Sequence, residues 1–301
     1  MNNSNLNKPV LFLVFNRINT TKQVFGAIRE AQPPRLYVAA DGARQNHPGE
    51  QSQVDAVRNY VVENIDWDCQ VKTLFRRQNL GCKYAVSGAI DWFFDNEEMG
   101  IILEDDTLPS QSFFLFCQDL LERYTYDERV MKISGFNELE GFNQDDSSYI
   151  FANFGSDWGW ASWRRSWKYY DVEMSDWPNL KRTKMNKYYP FTKKRNKIFE
   201  KTYQNEIDTW DYQWHFAINK NNGLTCIPHQ NLVENIGFGS GATHTRQADS
   251  SRQAANRKEI ELPLIHPYFM LPFLGYEAIL LKRNRTSIVG ELSNKMKKLL
   301  V

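Results

Sequence analysis

Three consecutive carboxylates, Glu104, Asp105 and Asp106, follow the apolar run 101–103 in the stretch IILEDDTLPS. Adjacent like charges repel, and each must be hydrated, paired or bound to a cation. A solvated strand end meets the first condition. A Mg²⁺ or Mn²⁺ site meets the last, because hard cations take one or two carboxylates completed by phosphates and waters. A second cluster, EIDTWDYQWHF (206–216), holds three proton acceptors, Asp208, Asp211 and His215. The same residues also fit the start of an amphipathic helix, with Asp208 capping and Asp211 solvated. A third, NIGFGSGATHT (235–245), spaces Gly237, Gly239 and Gly241 so that backbone N–H groups can approach an anion, and it ends in His244. His215 reads as a packed helical histidine and His229 as a loop histidine.

The elements that must position these groups alternate. PVLFLVF (9–15), RLYVAAD (35–41), CQVKTLF (69–75), MGIILEDD (99–106) and VMKIS (130–134) read as buried strands. Between them lie amphipathic stretches: one capped by Asn19 or Thr20 and carrying Val24, Ala27 and Ile28, one carrying Val54, Val57 and Val61, one over GCKYAVSGAIDWFFDN, and one striped by Phe113, Cys117, Leu120, Leu121 and Tyr124. Such alternation builds an α/β, mostly parallel, Rossmann-like sheet flanked by helices, whose ligands bind beyond the carboxyl ends of the strands. Asn16, Arg17, Asp41 and the acidic triplet all fall at that edge. There is no GxGxxG after the first strand and no GxxxxGK[ST], so the phosphate-cradling turns of dinucleotide and P-loop proteins are missing. From about residue 135 the chain turns irregular and rich in Trp, Tyr, Asn and Gly.

At 301 residues the chain is long enough for a sizeable core, and 42% hydrophobic with 24% charged residues is ordinary for a globular enzyme. A net charge of +1 disfavours a general nucleic-acid binder. Four cysteines without CxxC or zinc-like spacing, and an N-terminal apolar run too short to span a bilayer, lead to the expectation of a cytoplasmic protein. Aromatics reach 14%, with nine Trp. Four of these lie within GSDWGWASWRRSW, where Trp160, Trp163 and Trp167 fit one core face of a helix and equally a sugar-stacking platform. Asp157 and Trp158 are the members expected nearest a ligand.

The acidic triplet resembles the DxD-type motif of nucleotide-diphospho-sugar glycosyltransferases of the GT-A fold, among them N-acetylglucosaminyltransferase I and bacterial hemolysin-like sugar transferases. The resemblance runs from about 9 to 245 through FNR (15–17), AADG (39–42), NLGCKYAVSGAI (79–90), LEDD (103–106), ISGFNE (133–138), WGWASW (158–163), WDYQW (210–214) and NIGFGSGATHT, in that order. It implies a GT-A catalytic domain over 1–250, with a nucleotide-binding half to 134 and an irregular acceptor half after it, and an extension over 251–301. It implies a UDP-sugar donor with Mn²⁺ or Mg²⁺, and a glycan or lipid-linked acceptor. By position, Arg17 approaches the donor diphosphate, Asp41 the uracil or ribose, Asp105 the ribose and Glu104 the transferred sugar. Asp106 binds the metal, with His244 reaching metal or phosphate, and Gly239 and Ser240 lie in a loop over the diphosphate. Asp211 aligns with the family's catalytic base, although Tyr212 stands where the family has a second Asp. A base separate from the metal implies inversion at the anomeric carbon.

Two other readings remain: a metal-dependent nucleotidyltransferase or phosphohydrolase, which would use the same carboxylates on phosphorus, and a non-catalytic glycan-binding protein, which would explain the Trp residues but leave the acidic triplet and the glycine-rich loop without a purpose. The block 181–201 carries nine Lys or Arg against one Glu and reads as an exposed insertion, suited to an anionic acceptor, to lipid headgroups or to solvent. In the tail, Ile288, Leu292, Met296 and Leu299 share one helical face, suited to peripheral membrane contact, self-association as a homodimer, or packing onto the body.

Overall fold

The structure, a computed structural model, describes residues 6–140, 145–188, 190–237 and 256–280. Gly239, Ser240, Gly241, His244 and the tail over 288–299 lie outside the described residues. The first part of the chain runs β1 (Val10–Val14), α1 (Ile18–Ala31), β2 (Arg35–Ala40), α2 (Glu50–Glu63), β3 (Gln70–Phe75), α3 (Gly81–Asn96), β4 (Met99–Glu104), β5 (Thr107–Pro109), α4 (Gln111–Arg123) and β6 (Val130–Ser134). After these come β7 (Tyr149–Ala152), β8 (Trp160–Trp163), α5 (Arg164–Trp167), α6 (Trp177–Arg182), a 3₁₀ turn (Met185–Lys187), α7 (Lys193–Tyr203), α8 (Asp211–Lys220), β9 (Leu224–Pro228) and β10 (Val233–Asn235).

Eight strands form one sheet in the order β3-β2-β1-β4-β8-β6-β9-β7, and only β7 and β8 run against the other six. The fold is therefore α/β around a mostly parallel sheet, as the alternating pattern requires. Strand alternation sorts the core onto two faces. Val10, Phe12 and Val14 of β1 pack with α1, α2 and α4, whereas Leu11 and Leu13 pack with α3, α5 and α8. Apolar runs buried on both sides are the composition such a central strand needs.

Two sequence expectations change. Asn19 and Thr20 do not cap α1: the cap position is Arg17, whose carbonyl accepts from Thr21 N and from the Thr20 and Thr21 hydroxyls. The tryptophan run is not one helix but β8 followed by the single turn α5. Spacing of three puts side chains on the same face of a helix and on opposite faces of a strand. Accordingly Trp160 packs in the α3–α8 layer and Trp163 in the α4 layer, with Trp163 Nε1 donating to Leu121 O. All of Trp160, Trp163 and Trp167 are core residues.

Of the strands after residue 135, β7, β8 and β9 join the same sheet, with β8 between β4 and β6, whereas β10 pairs with β5 in a separate two-stranded sheet. The basic block forms α7 and the turns before it. Its Phe191 and Phe199 pack with Met174, Trp177 and Phe216 in a small separate core, so one side of the block is buried and Tyr188 stands outside. Among the described residues no helix is long and apolar enough to cross a membrane.

Because Trp160 is fully buried and stacks on Trp210 (centroids 5.6 Å apart), Trp160→Ala is expected to cost about 3–5 kcal/mol of unfolding free energy, read from urea titration.

Candidate active site

The order β2-β1-β4 makes a switch point: the chain leaves β1 toward one side of the sheet and reaches β4 on the other, which opens a crevice beyond their carboxyl ends. The register, with Leu13 opposite Glu104, brings Phe15–Arg17 beside Asp105 and Asp106. Arg17 donates to Asp105 Oδ1 and lies 2.9 Å from Asp106 Oδ2, while Phe15 N donates to Asp105 Oδ2 at 3.3 Å. The Asp105 side chain is 4% exposed, that of Asp106 16% and that of Arg17 29%. Asp105 thus joins two strand ends, and Asp106 is the carboxylate of this pair turned toward the crevice.

Burial works against the Arg17 charge, but Asp105 and Asp106 outweigh it and raise its pKa. Burial also pushes Asp105 up to about 6, with Arg17 pulling the other way. Glu104 is raised well above the carboxylate range, first by burial and then by repulsion from Asp106, Asp105 and Asp211. Its carboxylate makes no hydrogen bond to the described residues. One guanidinium therefore serves three acids.

A cavity of about 1,100 Å³ lies over this edge, and nine Asp or Glu side chains line it against five Lys or Arg. Asp41 is among the nine, yet its two oxygens already accept from Gly42 N, Leu80 N, Gly81 N and Asn79 Nδ2 at 2.9–3.1 Å. That fills its acceptor sites and ties β2 to the first turn of α3. The expected contact with uracil or ribose is therefore revised to a structural tie, because little lone-pair capacity remains. Asp208 likewise accepts from Lys83 N at 3.2 Å, so it caps α3 rather than the helix that follows it in sequence.

The antiparallel pair β5–β10 was not legible in the sequence, and it returns the glycine-rich segment to the triplet. Ile236 N donates to Asp106 O at 2.8 Å, and a Cβ on Gly237 would lie 2.3 Å from Asp106 Oδ2. Only glycine permits that approach.

From the far wall, α8 presents Asp211. Oδ1 accepts from Thr209 Oγ1 and from Tyr212 N (2.8 Å), leaving Oδ2 without a hydrogen bond to the described residues. Trp210 and Trp214 pack on Trp160 and Trp167 behind it and fix the position of the helix. Trp158 lines the cavity edge-on to Phe136 (4.6 Å), so of the four clustered indoles it alone can reach a ligand.

Three functional candidates were missed or misread in the sequence. His215 is no mere packed histidine: it lines the cavity with Nε2 2.6 Å from Asp157 Oδ2. Lys132, fully buried on β6, donates to Asp157 Oδ1 and Gly155 O at 2.8 Å each. Glu50, at the start of α2, collects Asn16 and both the backbone and guanidinium of Arg44, which lines the cavity. A lysine inside an apolar strand, VMKIS, was the one available signal.

No three His, Cys, Asp or Glu side chains among the described residues form a metal cage. Mg²⁺ and Mn²⁺ do not need one, since one or two carboxylates suffice when phosphate oxygens complete the shell. Glu104, whose carboxylate accepts no hydrogen bond from the described residues, and the crevice-facing Asp106 fit a cation held jointly with a diphosphate.

Asp157 is taken out of water by burial, yet His215 and Lys132 hold its pKa down at about 2. An unfolded Asp titrates near 3.9, so the stabilisation is complete above about pH 4 and is lost as pH falls through 2. Urea titrations at pH 4.5 and 2.5 are expected to show a drop smaller by about 1.5 kcal/mol in Asp157→Asn than in the parent. Gly237→Ala is expected to displace Asp106, read as weakened divalent-cation binding by calorimetry with the thermal midpoint little changed.

No family model and no curated protein matches the chain. Solved structures do match. The chain is similar to HddC from Yersinia pseudotuberculosis over 52% of its own length and 77% of that chain, at 10% identity and a TM-score of 0.32. It is similar to TarS 1-349 from S. aureus over 75% of its length, spanning 59% of that chain, at 9% identity and a TM-score of 0.39. UDP-glucose pyrophosphorylase complexed with UDP-glucose aligns over 48% of this chain and 62% of that one, at 12% identity and a TM-score of 0.28. Likeness this distant assigns no chemistry, which has to come from the residues of the crevice themselves.

Proposed function

We propose that the chain is a GT-A-type glycosyltransferase that moves a sugar from a nucleotide-diphosphate donor, UDP-sugar in the first instance, to a hydroxyl of a glycan or glycolipid. The observation that carries this reading is the pairing, across one crevice, of the Arg17–Asp105–Asp106 cluster with a separate proton acceptor, Asp211. A glycan-binding protein has no need of either, and the crowded acids are costly unless a cation or donor ligand meets them.

In this reading the diphosphate sits at the β1–β4 switch point. A bound Mn²⁺ or Mg²⁺, held by Asp106 with Glu104 beside it, supplies electrostatic neutralisation of the leaving group. Arg17 stands already ionised and oriented by Asp105, so it meets developing charge on the diphosphate without reorganising. Asp105 serves as the anchor of Arg17, and Asp41 as the anchor of the α3 start that walls the nucleoside side. Asp211 Oδ2 takes the proton of the acceptor hydroxyl as its oxygen bonds to the anomeric carbon. The bond from that carbon to the diphosphate oxygen breaks, and its electron pair leaves with the diphosphate. Attack from the α8 side, opposite the switch point, inverts the anomeric centre. Gly239, Ser240 and His244 continue the segment that Gly237 brings against Asp106, and their assignment to the diphosphate and metal is part of this proposal. So are a catalytic unit over 1–250, an extension over 251–301 and a cytoplasmic location.

Calorimetry with UDP in the presence and absence of Mn²⁺ tests the donor half. Binding is expected only with the cation in the parent and about tenfold or more weaker in Asp106→Asn. Asp211→Asn is expected to bind UDP normally while UDP release from the preferred donor falls about 10²–10⁴-fold. Donor turnover that survives Asp106→Asn would sink the reading. Release of pyrophosphate from a nucleoside triphosphate and a sugar phosphate would transfer the site to nucleotidyl chemistry.

A further inference from the structure

His215 and Asp211 stand four residues apart on α8, on one face of the helix, with Cβ atoms about 6 Å apart in such an arrangement. Both line the cavity. The His215 ring is held from behind. Asp157 Oδ2 meets Nε2 at 2.6 Å, and Lys132 Nζ, with its side chain 0% exposed, holds the other oxygen of Asp157. Asp157 remains ionised throughout the neutral range. The proton in the 2.6 Å contact therefore belongs to Nε2, and a neutral ring is the Nε2–H tautomer with its lone pair on Nδ1. Nδ1 makes no hydrogen bond to the described residues. Phe154 closes on the ring edge-on at 5.3 Å, and the Arg195 guanidinium lies over Phe154, which restricts rotation of the imidazole.

Burying a lysine and an aspartate side by side costs desolvation that a merely packed histidine would not require. Their effect here is to choose a tautomer and fix its direction, the arrangement that orients histidines in metal and hydrolytic sites. The crevice then displays two lone pairs, Asp211 Oδ2 and His215 Nδ1, spaced along one helix face. Two acceptors select a ligand that brings protons. A phosphate monoester, whose oxygens are themselves acceptors, is a poor match, and an isolated alcohol fills only one of the two places.

We propose that His215 is an acceptor-positioning residue: its Nδ1 receives a hydrogen bond from a second hydroxyl of the acceptor while Asp211 takes the proton of the attacking one. The acceptor is accordingly a sugar ring with a free hydroxyl next to the one that is glycosylated. This rests on the glycosyl-transfer reading above and names the acceptor class within it.

The test uses the full chain, a panel of UDP-sugars and methyl pyranosides as soluble acceptors. His215→Gln keeps a donor toward Asp157 but places no acceptor at Nδ1. It is expected to raise KM for the best pyranoside about tenfold with a smaller change in kcat. His215→Asn, whose amide oxygen falls close to the Nδ1 position, is expected to recover most of that loss. The deoxy pyranoside lacking the neighbouring hydroxyl is expected to show the same rise in KM with the parent enzyme and no further rise with His215→Gln. Losses in His215→Gln that are equal for the full and deoxy acceptors, or that fall on kcat and the melting temperature alone, overturn the proposal.

If no UDP-sugar is turned over by the parent, glycosyl transfer itself has failed, and nitrogen-15 NMR decides the matter separately. The His215 signal, identified by its loss in His215→Gln, is expected to show an unprotonated Nδ1 that shifts saturably on titration with methyl pyranosides. A protonated Nδ1, or a ring indifferent to every pyranoside, overturns the inference as well.

Discussion

The contact on which the rest depends is the fork that Arg17 makes with Asp105 and Asp106 at the seam between β1 and β4. Two strand ends carrying opposite charge meet at the one place where a doubly wound sheet opens. Asp105 cannot be solvated there, so it takes the Arg17 guanidinium and the Phe15 N–H, and it thereby fixes the loop that leads into α1. The arginine is turned toward the crevice with its charge secured. Asp106 shares that arginine while facing the opening, and Glu104 shares it only at a distance. The cluster thus buries one carboxylate against the arginine and keeps another at the opening of the crevice.

The second wall is built by a different force. Trp160, Trp167, Trp210 and Trp214 are buried in one stack that pins α8 against β8, and α8 in turn delivers Asp211 and His215 to the cavity. Dispersion and burial of large, close-packed rings leave the helix little room to shift. Behind His215 the hydrophobic logic is interrupted by Lys132 and Asp157, a buried pair that holds the ring in one direction. Most of the clustered indoles are therefore scaffold, and among Trp158, Trp160, Trp163 and Trp167 it is Trp158 that lines the cavity.

Much of the fold was legible. Every strand and helix expected before residue 135 is present within a residue or two, because each combines an unbroken apolar run or a clean helical stripe with polar punctuation. The placement of Arg17 and the acidic triplet on one edge followed from that alternation. What failed did so for stated reasons. Spacing of three among tryptophans is ambiguous between a helix face and the two faces of a strand. That Asp41 and Asp208 both accept from the start of α3 could not be read from the sequence, because a carboxylate gives no local sign of which distant N–H will bind it. His215 looked inert because its partners are 58 and 83 positions away in the chain, at Asp157 and Lys132.

By itself the order of residues determined the alternating α/β architecture, the edge at which charged groups gather, and the chemical types available there, since these depend on local periodicity and on which side chains can be buried. Tertiary structure alone decided which carboxylates are spent on the scaffold and which face the cavity. Hydrogen-bond capacity is finite, and whether Asp41, Asp105, Asp106 or Asp211 has any left depends on donors brought in from distant segments.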